Sequence, residues 1–429
     1  MIYWGQGGKS EKPLEFYCKQ EGISGIVLAF IADYVGGKGK SPVLDLSSQC
    51  KSESDCSNVA KDIKQCQDKG IKVILSLGGA SGPYRKQKFD PDLLAWWLWN
   101  MFLGGDDDSV TRPFGDVVLD GVDFDPEAAD SKGYDRLIHA LRQLYKLYPP
   151  RKFLITAAPQ CPDIEDYEDN AMYSILYPNR KYDAYPDLVF VQFYNNDCSA
   201  SAFKEKTSTR FNFDAWDKWA TEKTKGKSKI FLGLIAKSTK EDSGYVPYEK
   251  LTSILDEVHS TKNFGGVMMW DARLAYDNRV SYLHGTDYAT AVSKYLRQLT
   301  AGGSKAAIGA FNALGSPENH HTPVLVPISN LTNSIPDVLG CSGQAFVLLR
   351  HVTCRTLAES FGMSGDDIDR HLVNIGIDVN ALLNPGSHIC MEVPPEEENN
   401  YGRTMVLSYV YNATISDSWK MGTTMVRNI

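Results

Sequence analysis

The sequence predicts an α/β protein in which a (β/α)8 TIM barrel is followed by a linker and a small α+β module. Two observations predict the barrel: the first 300 residues contain eight apolar, β-rich runs, and segments with helical periodicity separate them. A third observation predicts the separate module, because this alternation stops near residue 300 and a stretch rich in Gly, Ala, Asn, Ser and Pro follows.

The eight runs justify a closed barrel, since strands that alternate with helices form parallel βαβ units. An open, doubly wound sheet is the rival architecture, but no Gly-x-Gly-x-x-Gly turn follows the first run. The predicted strands are 2–6, 24–34, 71–79, 119–127, 153–161, 187–196, 229–236 and 265–271. Predicted helices include 57–69, 134–148, 248–259 and 286–299.

Four regions follow from these patterns. Residues 1–300 form the predicted barrel, 301–340 the linker, 341–393 a compact unit, and 394–429 an extension of unknown structure. The cysteines divide in the same way, with six before residue 200 and three after residue 340.

Composition and charge exclude several classes of function. The chain of 429 residues is 43% hydrophobic and 23% charged, as in globular proteins, and its net charge is −8. Nucleic-acid binding requires a basic face, and a membrane span requires about 20 consecutive apolar residues. We therefore expect no nucleic-acid or membrane partner, and a monomer.

The cysteines and histidines give no sign of a metal site or a cofactor. No Cys-x-x-Cys pair is present, and His320 and His321 fall in the predicted linker. Dispersed cysteines are typical of disulfides in an oxidising compartment, although buried free thiols remain an alternative at this point. Asn330 and Asn412 begin glycosylation sequons. Because Met1 leads directly into a predicted strand, a secretion signal has been removed or the sequence is truncated.

The most informative segment is the end of the fourth predicted strand. Side chains alternate along a strand, so Asp123, Asp125 and Glu127 point into the barrel together. Like charges in a partly dry interior raise at least one pKa, and the outermost acid, Glu127, can then keep its proton and serve as a general acid. A salt-bridged or magnesium-binding row is the alternative interpretation.

Aromatic and amide residues at the other strand ends indicate a sugar substrate. Ring faces pack on apolar sugar faces, and amides bond hydroxyl and acetamido groups, although core packing explains any single aromatic equally well. The aromatic candidates are Tyr3, Tyr194 and Trp270, and the amide candidates are Gln6, Gln160, Gln192 and Asn195.

Together these residues carry a close resemblance to family 18 glycoside hydrolases, the chitinases. The octapeptide 120–127 matches the family signature Asp-x-x-Asp-x-Asp-x-Glu. Residues 1–300, about 70% of the chain, resemble plant and fungal class III chitinases of the hevamine type. The supporting segments are YWGQ at 3–6, LSLGG at 75–79, TAAPQCP at 156–162, VQFYNN at 191–196, FLGL at 231–234 and GGVMMW at 265–270.

The resemblance implies a secreted endo-chitinase that acts on chitin or its oligomers by a substrate-assisted, retaining mechanism. It implies Glu127 as the acid, Asp125 as the group that stabilises an oxazolinium ion, and Asp123 as the buried partner of Asp125. Tyr194 would donate a hydrogen bond to the acetamido oxygen, and the ring of Trp270 would pack beneath the sugar at the cleavage site. Tyr3, Gln6 and Gln192 would line the cleft. The implied disulfides are Cys18–Cys66, Cys50–Cys56 and Cys161–Cys198.

Three positions depart from the family pattern. Pro126 replaces a bulky apolar residue and removes a backbone N–H, so it can displace Glu127. Ala80 stands in place of a glycine beside the cleft, and Asp45 stands in place of an asparagine at a distal subsite. The alternative is therefore a weak or inactive relative, such as a chitin-binding lectin or a storage protein.

The compact unit 341–393 resembles a LysM domain, a module that binds N-acetylglucosamine chains. Residues 346–391 carry the pattern, but His351 and Val352 replace the usual Gly-Asp before Thr353. A folded cap without a ligand is the alternative. Cys341, Cys354 and Cys390 leave one thiol unpaired within this module.

Overall fold

The computed structural model describes residues 1–35, 41–127, 132–148, 151–165, 170–182, 184–204 and 210–301, and seven short backbone strands beyond residue 320. Within this part, no helix is both long enough and apolar enough to cross a membrane.

Eight parallel strands close into a barrel. Each strand pairs with the next along the chain, and closure is completed where Ile2 in the first strand pairs with Met269 in the last. This closure confirms the predicted barrel and excludes the open sheet. The strands are Ile2–Trp4, Gly25–Asp33, Lys72–Gly79, Gly121–Pro126, Leu154–Ala157, Leu188–Gln192, Lys229–Ile235 and Phe264–Trp270.

Helices surround the barrel, and the four that the sequence predicts are confirmed to within two residues at each end. The helices are Leu14–Cys18, Ser57–Asp68, Pro91–Phe102, Tyr134–Lys146, Tyr173–Leu176, Phe213–Glu222, Tyr248–Val258, Ala272–Asp277 and Tyr288–Ala301. Asp90 caps the start of helix Pro91–Phe102. Its carboxylate accepts hydrogen bonds from the backbone N–H groups of Asp92 and Leu93 at 2.9 and 3.1 Å.

Two apolar layers hold the strands in place. A small cluster that includes Val27, Ile74 and Phe190 fills the barrel interior, and a much larger one lies between the strands and the helices. Phe124 belongs to the outer layer and contacts Tyr134 edge-on at 6.1 Å. The predicted alternation of the fourth strand is therefore confirmed: Phe124 faces the helices, while Asp123 and Asp125 face inward.

Seven of the eight barrel strands end earlier than their apolar runs suggest. The sixth strand stops at Gln192 rather than residue 196, and Asn195 adopts a left-handed conformation with φ of 59°. The carboxamide oxygen of Asn195 accepts the N–H of Ser243 at 2.7 Å, which fixes this turn. The residues just after the strands thus form a rim of loops rather than sheet.

Three disulfide bonds tie these loops and helices together: Cys18–Cys66, Cys50–Cys56 and Cys161–Cys198. They are the pairs that the family resemblance implies, so the free-thiol alternative is wrong for these six cysteines. The side chains of Cys341, Cys354 and Cys390 lie outside the described residues.

Beyond the barrel, five short strands form an antiparallel sheet and two more pair with each other. The sheet contains Leu325–Pro327, Gln344–Leu348, His388–Glu392, Val406–Val410 and Gly422–Thr424, and the separate pair is Val352–Thr353 and Leu382–Leu383. The remainder of the LysM-like pattern lies outside the described residues, so that interpretation stays a prediction.

Asp120 joins three segments beneath the barrel. One carboxylate oxygen accepts from Lys72 at 3.3 Å and from Arg151 at 3.0 Å. The other accepts from Gln67 at 2.8 Å and from the N–H of Val73 at 2.9 Å. Asp120 and Arg151 are only 2% and 7% exposed, so their charges depend on each other for solvation.

We predict that Asp120→Ala lowers the free energy of unfolding by about 3–5 kcal/mol, because it leaves Arg151 buried without its anion. Urea unfolding followed by tryptophan fluorescence measures the change. Asp197→Ala is the matched control, since Asp197 pairs with Arg210 at 2.6 Å but both side chains are largely exposed. Equal effects of the two variants would contradict this role for Asp120.

Candidate active site

A cleft of about 290 Å³ opens at the carboxyl ends of the barrel strands. Ten of the predicted site residues line it: Tyr3, Gln6, Ala80, Asp125, Glu127, Gln160, Gln192, Tyr194, Asn195 and Trp270. Asp123 lies buried within the barrel, and Asp45 lies outside the lining. The structure therefore brings together nearly all of the residues selected from the sequence.

Asp123 is fully buried and is held by three hydroxyl groups. Tyr3, Ser76 and Thr156 donate to its carboxylate at 2.7, 2.6 and 2.5 Å. Strand register causes this arrangement, because Ser76 and Thr156 are the partners of Asp123 on the two neighbouring strands. Burial raises the pKa of Asp123, and the three hydroxyls oppose that rise.

Asp125 lies one step further along the strand and faces the cleft. Gln192 donates to its carboxylate at 2.8 Å and also donates to the carbonyl of Ala158 at 2.9 Å, which fixes the amide. Burial holds the pKa of Asp125 well above its usual range, and the charges of Glu127, Asp123 and Asp163 raise it further.

Glu127 is half-buried at the outer end of the row. The side-chain amide of Gln160 donates a long hydrogen bond to the Glu127 carboxylate, with 3.4 Å between nitrogen and oxygen. The backbone N–H of Glu127 donates to the Tyr84 hydroxyl at 3.1 Å, and that hydroxyl donates to the carbonyl of Gly79 at 2.5 Å. Tyr84 thus anchors the chain directly after Pro126, and Glu127 lines the cleft despite the proline.

Burial favours the protonated forms of both Asp125 and Glu127. Burial raises the pKa of Glu127, Arg85 and Gln160 oppose the rise, and Asp242 adds to it. Two neighbouring carboxyls in a poorly solvated site cannot both ionise cheaply. Asp163 reinforces the effect, and its own pKa is raised to about 6, mainly by burial and then by Glu127.

Aromatic rings form one wall of the cleft. Trp270 stacks on Phe30 at 5.9 Å with 21° between the planes, and it contacts Tyr3 at 5.6 Å. Tyr194 is 6% exposed, and burial raises the pKa of its hydroxyl well above its usual range, so it remains a neutral donor. This combination can hold a ring with an apolar face and a polar substituent.

The rim residues have more local roles. The Gln6 side-chain nitrogen donates to the carbonyls of Ala29 and Asp45 at 2.7 and 3.0 Å. Ala80 is exposed at the mouth, where its carbonyl accepts from Arg85 at 2.7 Å. The exposed carboxylate of Asp45 accepts the N–H of Ser47 at 2.7 Å and closes a turn.

Four further residues line the cleft that the sequence patterns did not predict as site residues: Phe30, Ser81, Asp242 and Met268. Met268 could have been found, because it stands two residues before Trp270 on the same strand face. Asp242 gave no such signal, since it lies in a loop with no periodic pattern. In the described part of the chain, no group of three His, Cys, Asp or Glu side chains could hold a metal ion.

Comparison with known sequences assigns the family. Residues 1–245 match the model of glycosyl hydrolases family 18. The chain is 41% identical over 297 residues to Chitinase 2 of Rhizopus oligosporus. That alignment covers 65% of this chain and 50% of the fungal protein. It is 37% identical over 283 residues to acidic endochitinase SE2 of Beta vulgaris. That alignment covers 66% of this chain and 88% of the plant protein. The chain thus spans half of the fungal relative and most of the plant one.

Solved structures give the same assignment but include a lectin. The ICChI chitinase from Ipomoea carnea aligns with a TM-score of 0.55 at 29% identity, over 68% of this chain and 98% of that one. A tamarind chitinase-like lectin aligns with a TM-score of 0.50, also at 29% identity. That alignment covers 64% of this chain and 95% of the lectin. The chain belongs to family 18 of the glycosyl hydrolases.

Proposed function

We propose that the barrel is a secreted endo-chitinase that hydrolyses β-1,4 bonds of chitin and its oligomers with the help of the substrate's own acetamido group. The observation that carries the proposal is the cleft in which Glu127, Asp125 and Tyr194 meet beside the ring of Trp270. A cleft with one proton donor and a second carboxyl suited to an amide matches a substrate with an N-acetyl group beside the bond that breaks.

In the first step, Glu127 gives its proton to the glycosidic oxygen. The acetamido oxygen attacks the anomeric carbon from the opposite face, the bond to the leaving sugar breaks, and an oxazolinium ion forms. Asp125 accepts a hydrogen bond from the acetamido N–H and stabilises the positive charge, while Tyr194 donates to the acetamido oxygen. In the second step, Glu127 removes a proton from water as the water oxygen attacks the anomeric carbon. The bond from that carbon to the acetamido oxygen breaks, so the acetamido group is restored and the configuration is retained.

The remaining residues hold this geometry. Asp123 is locked by three hydroxyls and provides a fixed negative group beneath Asp125. Gln192 orients Asp125, and Trp270 supports the sugar at the cleavage site. Tyr3, Gln6, Ala80 and Asp45 border the neighbouring subsites. The three disulfides favour an oxidising compartment outside the cytosol.

A chitin-binding protein without hydrolysis is the second candidate. Pro126 at the centre of the carboxylate row favours it, as does the likeness to the tamarind lectin. The anchoring of Glu127 by Tyr84 favours the enzyme, because the acid stays in the cleft.

We predict that wild-type protein cleaves chitotetraose and that Glu127→Gln lowers kcat by roughly 100- to 10,000-fold, because glutamine cannot supply the proton. Product analysis by chromatography and oligosaccharide binding by calorimetry are measured together. Glu165→Gln is the control, since Glu165 is exposed on a neighbouring loop. Wild-type protein that binds chitotetraose without turnover would establish the lectin candidate instead.

We also predict that Asp163→Asn moves the alkaline limb of the pH profile of kcat/KM to lower pH, by up to about one unit. The pKa of Asp163 is raised to about 6, and its negative charge above that pH raises the pKa of Asp125, so its removal should let the neighbouring carboxyls lose a proton at lower pH. The same Glu165→Gln control should leave the limb in place. A limb that stays fixed, or moves to higher pH, would refute this coupling.

A further inference from the structure

A basic groove lies at the opposite end of the barrel from the catalytic cleft. It is a half-open concavity of about 590 Å³. Asp187 and Lys227 place it there, because they lie one and two residues before the barrel strands Leu188–Gln192 and Lys229–Ile235. Its cationic lining residues are Arg142, Arg180, Lys181, Lys223, Lys225 and Lys227.

Among the described residues, few acids neutralise the positive charge of the basic groove. Asp187 is the one acid among its described lining residues, and it pairs with Arg142 at 3.1 Å. Within the described part of the chain, Arg180, Lys225 and Lys227 have no ion-pair partner. This concentration of cations stands out in a chain whose net charge is −8.

The lysines project from a rigid turn. Thr224 is 2% exposed, and its hydroxyl donates to the carbonyl of Ala220 at 2.7 Å and accepts the N–H of Ser228 at 3.1 Å. The Ser228 hydroxyl donates to the carbonyl of Pro186 at 2.6 Å, which ties the turn to the next segment. The backbone is therefore fixed while like charges are held close together, and a bound anion would relieve their repulsion.

Aromatic rings lie among the cations. Tyr182 and Tyr185 line the basic groove and are half-buried, and Lys181 lies 4.9 Å from the Tyr182 ring. Rings beside cations suit sugars that carry carboxylates, because a ring packs on the sugar face while a cation pairs with the acid group. The lining offers no aliphatic side chain except Pro186 for insertion into a lipid surface.

We propose that the basic groove binds an acidic polysaccharide, a polymer of sugars that carry carboxylate groups. The site is separate from the catalytic cleft, so it would hold the protein on a mixed matrix while the cleft remains free. Binding here depends on neither the carboxylate row nor hydrolysis, so it can fail or succeed independently of the proposed function.

Polygalacturonate is the probe, and its affinity is measured by biolayer interferometry at several salt concentrations. Wild-type protein should bind more weakly as salt rises, and Lys225→Glu/Lys227→Glu should lower the affinity at least ten-fold. Lys61→Glu/Lys294→Glu changes the net charge equally at two exposed lysines elsewhere and should bind like wild type. Both variants should keep the wild-type far-UV circular dichroism spectrum and melting temperature, which shows that they fold whether or not the protein hydrolyses chitin.

A milder variant, Lys225→Gln/Lys227→Gln, should give a smaller loss in the same direction. Three results would overturn the proposal: no binding of polygalacturonate by wild type, an equal loss in the two double variants, or stronger binding to duplex DNA or to phosphatidylserine vesicles than to polygalacturonate.

Discussion

Three carboxylates on one face of one short strand are the constraint around which the site is arranged. The barrel interior cannot solvate three negative charges, so each acid has its own compensation. Asp123 takes three hydroxyl donors, Asp125 takes the Gln192 amide, and Glu127 lies at the outer end of the row beside the Gln160 amide. Burial raises the pKa of both Asp125 and Glu127, which favours the protonated acid that acid catalysis needs.

The neighbouring backbone must approach this row closely. Gly78 has a φ of +120°, and a Cβ there would come within 2.2 Å of the carbonyl oxygen of Asp125. A side chain at this position would therefore push the fourth strand away from its neighbour. Cys161–Cys198 links the segment after Gln160 to the loop after Tyr194, so two walls of the cleft are joined covalently.

The sequence was sufficient for the barrel and most of the cleft because both follow from strand periodicity. Alternation placed Asp123, Asp125 and Glu127 inside and Phe124 outside, and the strand ends placed Tyr3, Gln192 and Trp270 at one face. Helix Pro91–Phe102 was not predicted, since its sequence is apolar on nearly every side and shows no helical stripe.

Contacts between distant segments were beyond the reach of the pattern. Tyr84 reaches Glu127 across 43 positions, and Asp242 comes from a loop far along the chain. The effect of Pro126 could not be judged either, because it depends on that Tyr84 contact rather than on the strand itself. Strand ends were overestimated for a related reason: residues such as Asn195 follow closely on an apolar run, yet tertiary contacts turn them out of the sheet.

The central claim is that the substrate's acetamido group, held by Asp125, acts as the nucleophile while Glu127 supplies the proton. Proton NMR of the first products of chitotetraose cleavage, recorded before the anomers equilibrate, tests it most directly. With the acetamido group as nucleophile, the newly formed reducing end begins as the β anomer, because two displacements retain the configuration. An initial α anomer would show direct attack by water and would contradict it.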